Sequence, residues 1–135
     1  MLGLVLVTHG NLAKEFLAIC EHIMGQQQRV ATVCIEAGDD MEKRREDIIK
    51  SVDAVDDGSG VVVLTDMFGG TPSNLAISVM NDDRVEVLAG VNLPMLIKLI
   101  SIRNALPLSE AVLQAQDSGR KYINVARNLL KTGTK

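Results

Sequence analysis

Two short polar segments hold the residues that can do chemistry. Thr8-His9-Gly10 closes the apolar run Leu2-Gly3-Leu4-Val5-Leu6-Val7, and Thr65-Asp66-Met67-Phe68-Gly69-Gly70-Thr71-Pro72-Ser73-Asn74 closes the run Val61-Val62-Val63-Leu64. An unbroken apolar run suits a strand covered on both faces, in the middle of a parallel sheet. The carboxyl ends of such strands are where open α/β sheets bind ligands. If the two strands are neighbours, as in the flavodoxin-like order, His9 and Asp66 flank the switch point. A carboxylate that accepts a hydrogen bond from one imidazole nitrogen fixes the tautomer. The other nitrogen's lone pair then faces outward, as a nucleophilic histidine requires. Gly69-Gly70-Thr71 leads into a helix start and offers backbone N–H groups and a hydroxyl to phosphate oxygens. Together these features point to phosphoryl transfer through a phosphohistidine.

Each feature also has a plainer reading. A lone histidine after a strand is usually a turn residue, an aspartate can merely end a strand, and Gly-Gly can merely let the chain turn. Thr71 as N-cap with Pro72 as first helical residue marks a helix start whatever else it does. The coincidence of polar groups at two matching strand ends is what favours chemistry. Other chemistries lack their motifs: there is no G-x-x-x-x-G-K-[ST], no G-x-G-x-x-G, and Ser73 lacks the G-x-S-x-G elbow. His22 has no second ligand at metal spacing and reads as a surface or boundary residue. Phosphoryl transfer between protein side chains needs neither a metal nor an organic cofactor, so none is expected. Cys20 and Cys34 read as small buried hydrophobes. Met67-Phe68, beside the proposed site, could form an apolar docking collar for a protein partner.

The elements that must position these residues alternate. Asn11 is placed to cap a helix whose stripe is Leu12, Phe16, Ile19 and Ile23, stopping near Gly25. A strand over 29–35 follows. Asp39 with Glu42 resembles a capping box, opening a helix through Met41, Ile48, Ile49 and Val52 that ends in Asp56-Asp57-Gly58-Ser59-Gly60. After the strand at 61–64, a helix runs through Leu75, Ile77, Val79 and Met80 to stop near Asn81-Asp82-Asp83. A strand over 84–89 leads through Gly90-Val91-Asn92-Leu93 to Pro94, which starts a helix through Leu96, Leu99 and Ile102. Ser109 is placed to cap a further helix ending at Ser118-Gly119. Residues 121–125 read as a fifth strand, and 126–130 as a helical tail. The pattern predicts one α/β domain with a parallel sheet and helices on both faces.

Composition narrows the partners. The 135 residues carry a net charge of −3 and include no basic cluster that would suit nucleic acid or an anionic membrane. Lys43-Arg44-Arg45, flanked by Glu42 and Glu46, reads as a solvated helix face. No apolar stretch approaches the roughly 20 residues of a membrane span, and the N-terminus lacks a signal peptide's basic region, so a cytoplasmic protein is expected.

With these motifs in register, the sequence resembles the mannose-type EIIA proteins of the bacterial phosphoenolpyruvate-dependent phosphotransferase system. The likeness rests on Leu4-Val5-Leu6-Val7-Thr8-His9-Gly10, on the 65–74 segment and on Ala89-Gly90-Val91-Asn92-Leu93-Pro94-Met95-Leu96, and covers essentially the whole chain. It implies that His9 accepts a phosphoryl group through Nε2 from phospho-HPr and passes it to an EIIB component. Asp66 would be its hydrogen-bonding carboxylate and Gly70 and Thr71 the phosphate contacts. Met67, Phe68 and Asn92 would form the partner surface. Thr71 stands where serine is common and Phe68 where tryptophan is common. The resemblance further implies a flavodoxin-like sheet of order 2-1-3-4, with an antiparallel fifth strand, here 121–125, exchanged in a homodimer. The sequence ends at Lys135 without a hinge or EIIB domain, so transfer to a separate protein is expected. Two rival functions fit the same residues. One is a regulatory phosphoprotein of this fold; the other is a non-catalytic anion binder using Gly69-Gly70-Thr71. The related phosphotransfer subunit of dihydroxyacetone kinase matches the Gly-Gly-Thr-Pro and Val-Asn-Leu-Pro motifs less well.

Overall fold

In the computed structural model, which describes residues 1–80 and 83–131, the apolar runs form the two central strands of a parallel sheet. The elements are β1 (Gly3–His9), α1 (Leu12–Met24), β2 (Val30–Ile35), α2 (Met41–Val55), β3 (Val61–Thr65), α3 (Thr71–Ser78), β4 (Val85–Ala89), α4 (Leu93–Ile102), α5 (Leu108–Lys121) and α6 (Ala126–Lys131). The sheet order is β2-β1-β3-β4 with every neighbouring pair parallel, as the resemblance implied.

The unbroken runs follow from burial on both faces. Leu4, Leu6, Val62 and Leu64 pack into a layer with Ala13 and Cys20 of α1, Leu96 and Leu99 of α4, and Ala111 and Ala115 of α5. Val5, Val7, Val61 and Val63 pack into the opposite layer with Ile48, Val52 and Val55 of α2 and Ala76 of α3. Each such aliphatic side chain contributes roughly 1.5–3 kcal/mol on burial, so this pattern holds β1 and β3 side by side. The outer strands β2 and β4 are only partly covered.

Several local expectations shift by a residue or a turn. On α1, Leu12, Ile19 and Ile23 are exposed; the inward positions are Ala13 and Cys20, with Phe16, Leu17 and Met24 partly buried. Small residues face the sheet there, so the helix can approach it closely, and the stripe is turned by one residue. Asp40, not Asp39, caps α2, accepting from the N–H groups of Glu42 and Lys43, while Asp39 accepts from Glu36 N–H at 2.9 Å. Helix α3 ends at Ser78, short of Met80; Asn81 and Asp82, in its expected stop, lie outside the described residues. Helix α5 starts at Leu108 after Pro107, so Ser109 sits inside its first turn, and it runs past Gly119 to Lys121.

Within this one chain residues 121–125 form no strand; the strand that the resemblance implied is one exchanged with a partner subunit. Lys121 belongs to α5, and Tyr122, Ile123 and Val125 are exposed, pairing with no strand. A strand needs an edge to pair with, and this segment meets none within the described chain. The helical tail is present as α6, with no buried residue.

The amino edge of the sheet is closed by Arg103, which directly follows α4 and is almost fully buried. Its Nη1 donates to the carbonyls of Leu2 and Arg29, both at 3.3 Å, and its Nη2 to Gln27 Oε1 at 3.0 Å and the Gln28 carbonyl at 2.6 Å. The residue before β1 and the turn before β2 are thereby tied to the end of α4.

Candidate functional site

At the carboxyl edge, β1 is buried through Thr8 and emerges at His9, whose side chain is 52% exposed. Thr8 anchors the turn: its buried Oγ1 accepts from Ala13 N–H at 2.7 Å. It thus does for α1 what Asn11 was expected to do, and Asn11 makes no side-chain cap. Gly10 takes φ +54°, a left-handed conformation that glycine adopts without strain, and its N–H donates to the Ile35 carbonyl at 2.8 Å.

The neighbouring strand β3 delivers Asp66, one residue past its end and only 13% exposed. Asp66 Oδ2 lies 2.8 Å from His9 Nδ1 and accepts from the His9 backbone N–H at 3.0 Å; Oδ1 accepts from Met67 N–H at 3.0 Å. Burial pushes the carboxyl pKa up, but the His9 backbone N–H, the ring and its charge, and the local backbone outweigh it. The net result is a carboxyl below its ordinary range. An ionised carboxylate is acceptor-only, so Nδ1 must carry the shared proton, and in the neutral imidazole Nε2 is then the nitrogen with the lone pair.

The 66–74 loop supplies the third part. Gly70, not Thr71, occupies the N-cap of α3, with Thr71 and Pro72 as its first two helical residues and no side-chain cap. Thr71 is exposed, and its hydroxyl is therefore free of capping. The turn is clasped by Ser73, whose buried hydroxyl accepts from Gly69 N–H at 2.9 Å and donates to the Gly70 carbonyl at 3.0 Å. Sequence reading weighed Ser73 only as a hydrolase nucleophile; its position at the third residue of a Pro-started helix was the available signal for this clasp. The Gly70 and Thr71 N–H groups make no hydrogen bond among the described residues. Gly70 also abuts the imidazole: a Cβ there would stand 3.0 Å from His9 Cε1 and 3.4 Å from Nε2. The two unpaired backbone donors and the free ring nitrogen thus share one corner.

Met67 and Phe68 stand out from the loop, 55% and 75% exposed. Asn92 is committed inward: its Oδ1 accepts from Met95 N–H at 3.0 Å to cap α4, and its Nδ2 donates to the Gly119 carbonyl at 2.9 Å. His22 is exposed, Cys20 fully buried and Cys34 half-buried. Among the described residues no group of three or more His, Cys, Asp or Glu is placed to hold a metal, and no helix is long and apolar enough to cross a membrane.

Fold and site define a doubly wound α/β protein with an acid-oriented histidine at its switch point. Comparison with known proteins makes the class specific. Residues 3–116 match the EIIA-man family model, described as the PTS system fructose IIA component, and the chain belongs to this EIIA family of the phosphotransferase system (PTS). It is 31% identical over 128 residues to the PTS system mannose-specific EIIAB component of Escherichia coli (strain K12). That match takes in 93% of this chain but only 40% of the relative. Among solved structures, EIIA from Streptococcus agalactiae superposes with a TM-score of 0.87 at 28% identity, covering 95% of this chain and 99% of that one. The PTS IIA protein associated with the fucose utilization operon of Streptococcus pneumoniae gives 0.80 at 33% identity, covering 94% and 95%.

Proposed function

We propose that this chain is a phosphocarrier of a sugar phosphotransferase system, a single EIIA domain over 1–135 in which His9 is the nucleophile. The observation that carries the reading is the 2.8 Å contact between His9 Nδ1 and Asp66 Oδ2 on a half-exposed ring. With Nδ1–H donating to the carboxylate, the Nε2 lone pair attacks the phosphorus of a phosphohistidine on the donor. A P–Nε2 bond forms as the bond from phosphorus to the donor's ring nitrogen breaks. The imidazole becomes a substituted cation, which the adjacent carboxylate stabilises. The Gly70 and Thr71 N–H groups and the Thr71 hydroxyl hold the phosphoryl oxygens as negative charge shifts among them. Attack by the acceptor's nucleophile on the same phosphorus returns the lone pair to Nε2.

The donor in this reading is phospho-HPr and the acceptor an EIIB protein, since EIIA components work between those two partners. Met67 and Phe68 form the apolar surface against which they dock, while Asn92 supports that surface by holding α4. A cytoplasmic homodimer belongs to the same reading, because the exposed Tyr122, Ile123 and Val125 call for cover. The reading is tested by incubating wild type and His9→Ala with labelled phosphoenolpyruvate, enzyme I and HPr. Wild type should take up acid-labile phosphate and His9→Ala none; retained label on the variant would overturn the assignment.

A further inference from the structure

A second polar cleft lies apart from His9, on the open β2 edge of the sheet between α1 and α2. It encloses about 390 Å³ and is lined by Lys14, Thr32, Cys34, Arg44, Lys50 and Ser51. Three cations thus gather in one cleft of a chain whose net charge is −3. One carboxylate, Asp47, also faces it and sits 3.3 Å from Arg44 Nη1; Asp39 Oδ2 is 4.0 Å from Arg44 Nε. Lys14 and Lys50 make no ion pair among the described residues. The basic run at 43–45, which reads as solvated in sequence, is therefore only partly so. Arg44 is half-buried, and its Nε is a buried donor with no hydrogen-bond partner among the described residues. Native proteins rarely leave such a donor unmatched, because its lost hydration is then uncompensated.

We propose that this cleft binds a small phosphate monoester. The lysines, Arg44 and Asp47 leave a net charge of +2 at the cleft, which a phosphate dianion matches, and the Thr32 and Ser51 hydroxyls add neutral donors. The volume falls near the lower end of the roughly 300–1,000 Å³ typical of small-molecule pockets. An acidic peptide laid along the β2 edge is the competing occupant, but the cations converge on one cleft instead of spacing along the strand. The site is separate from the Gly70–Thr71 cradle, though near it in the sheet. Cys34 lies opposite Thr8 in the β1–β2 register, one strand from the residue preceding His9.

The test is an amide-shift titration of the whole chain with glycerol phosphate and, separately, inorganic phosphate. Saturable shifts at Thr32, Cys34 and Ser51 are expected with glycerol phosphate. Affinity should fall about tenfold or more in Lys14→Ala/Lys50→Ala, as loss of charge-assisted contacts dictates, and stay unchanged in His9→Ala. Thiol modification gives an independent readout, since Cys20 is fully buried: glycerol phosphate should slow labelling of Cys34 in wild type but not in the lysine variant. Shifts confined to Gly70 and Thr71, or affinity indifferent to the lysines, would overturn the proposal. So would binding of inorganic phosphate with exclusion of the monoester, or binding of a Glu-rich peptide where glycerol phosphate fails.

Discussion

At the amino edge of the sheet Arg103 is 3% exposed and its guanidinium donates to four acceptors, three of them backbone carbonyls. At the carboxyl edge His9 is half exposed, one ring nitrogen is held by Asp66, and the Gly70 and Thr71 N–H groups beside the other have no partner among the described residues. The two ends of β1 therefore use polar groups in opposite ways. Where the fold is closed, four guanidinium N–H donors are engaged and the charge is screened by carbonyl dipoles. Where a reacting group must arrive, donors are left open and the backbone holding them is clasped from behind by Thr8 and Ser73. One edge should govern stability and the other transfer.

That separation can be broken by substitution at either edge. Arg103→Met should have the largest effect on folding, about 3 kcal/mol or more, because it removes one buried and three part-buried hydrogen bonds at once. Denaturant titration checks the loss, and the transfer rate per folded molecule should not change. Asp66→Asn should slow phosphoryl transfer about a hundredfold or more. An amide can donate to Nδ1 and thereby favour the tautomer with its proton on Nε2. The effect on stability is smaller and depends on pH. Since Asp66 is held below its ordinary range, its contribution is complete above the unfolded value of about 3.9 and is lost as pH falls through the lower folded value. The stability gap between wild type and Asp66→Asn should therefore close in acid. Gly70→Ala sharpens the comparison: its φ of −92° suits any residue, so the added methyl is felt mainly by the His9 ring. Stopped-flow transfer should slow about tenfold with stability held within about 1 kcal/mol, because the ring that meets the methyl is half exposed and can yield.

The sequence carries much of this architecture for physical reasons. Strands 61–64 and 2–7 are legible because burial on both faces leaves no room for polar interruption, and the abrupt polar ends of those runs mark His9 and Asp66. The details that fail are ones where neighbouring residues offer equivalent chemistry. Asp39 and Asp40 can both cap, and only the loop geometry gives the cap to Asp40. Helix α1 carries two overlapping apolar stripes, and the one with smaller residues wins because it lets the helix approach the sheet. Thr71 yields the N-cap to Gly70 because Ser73 already clasps the turn. Arg103 gives little local signal: its acceptors come from residues more than seventy positions away in sequence. The 121–125 segment has strand-like residues but no edge to join within the described chain.

The central claim is that the Asp66 carboxylate reserves Nδ1 and leaves Nε2 to form the bond to phosphorus. Nitrogen-15 NMR of the phosphorylated protein, read through the coupling between phosphorus and the His9 ring nitrogens, measures this directly. Phosphorus bonded to Nε2, with a proton on Nδ1, is the predicted result; phosphorus bonded to Nδ1 would contradict the account.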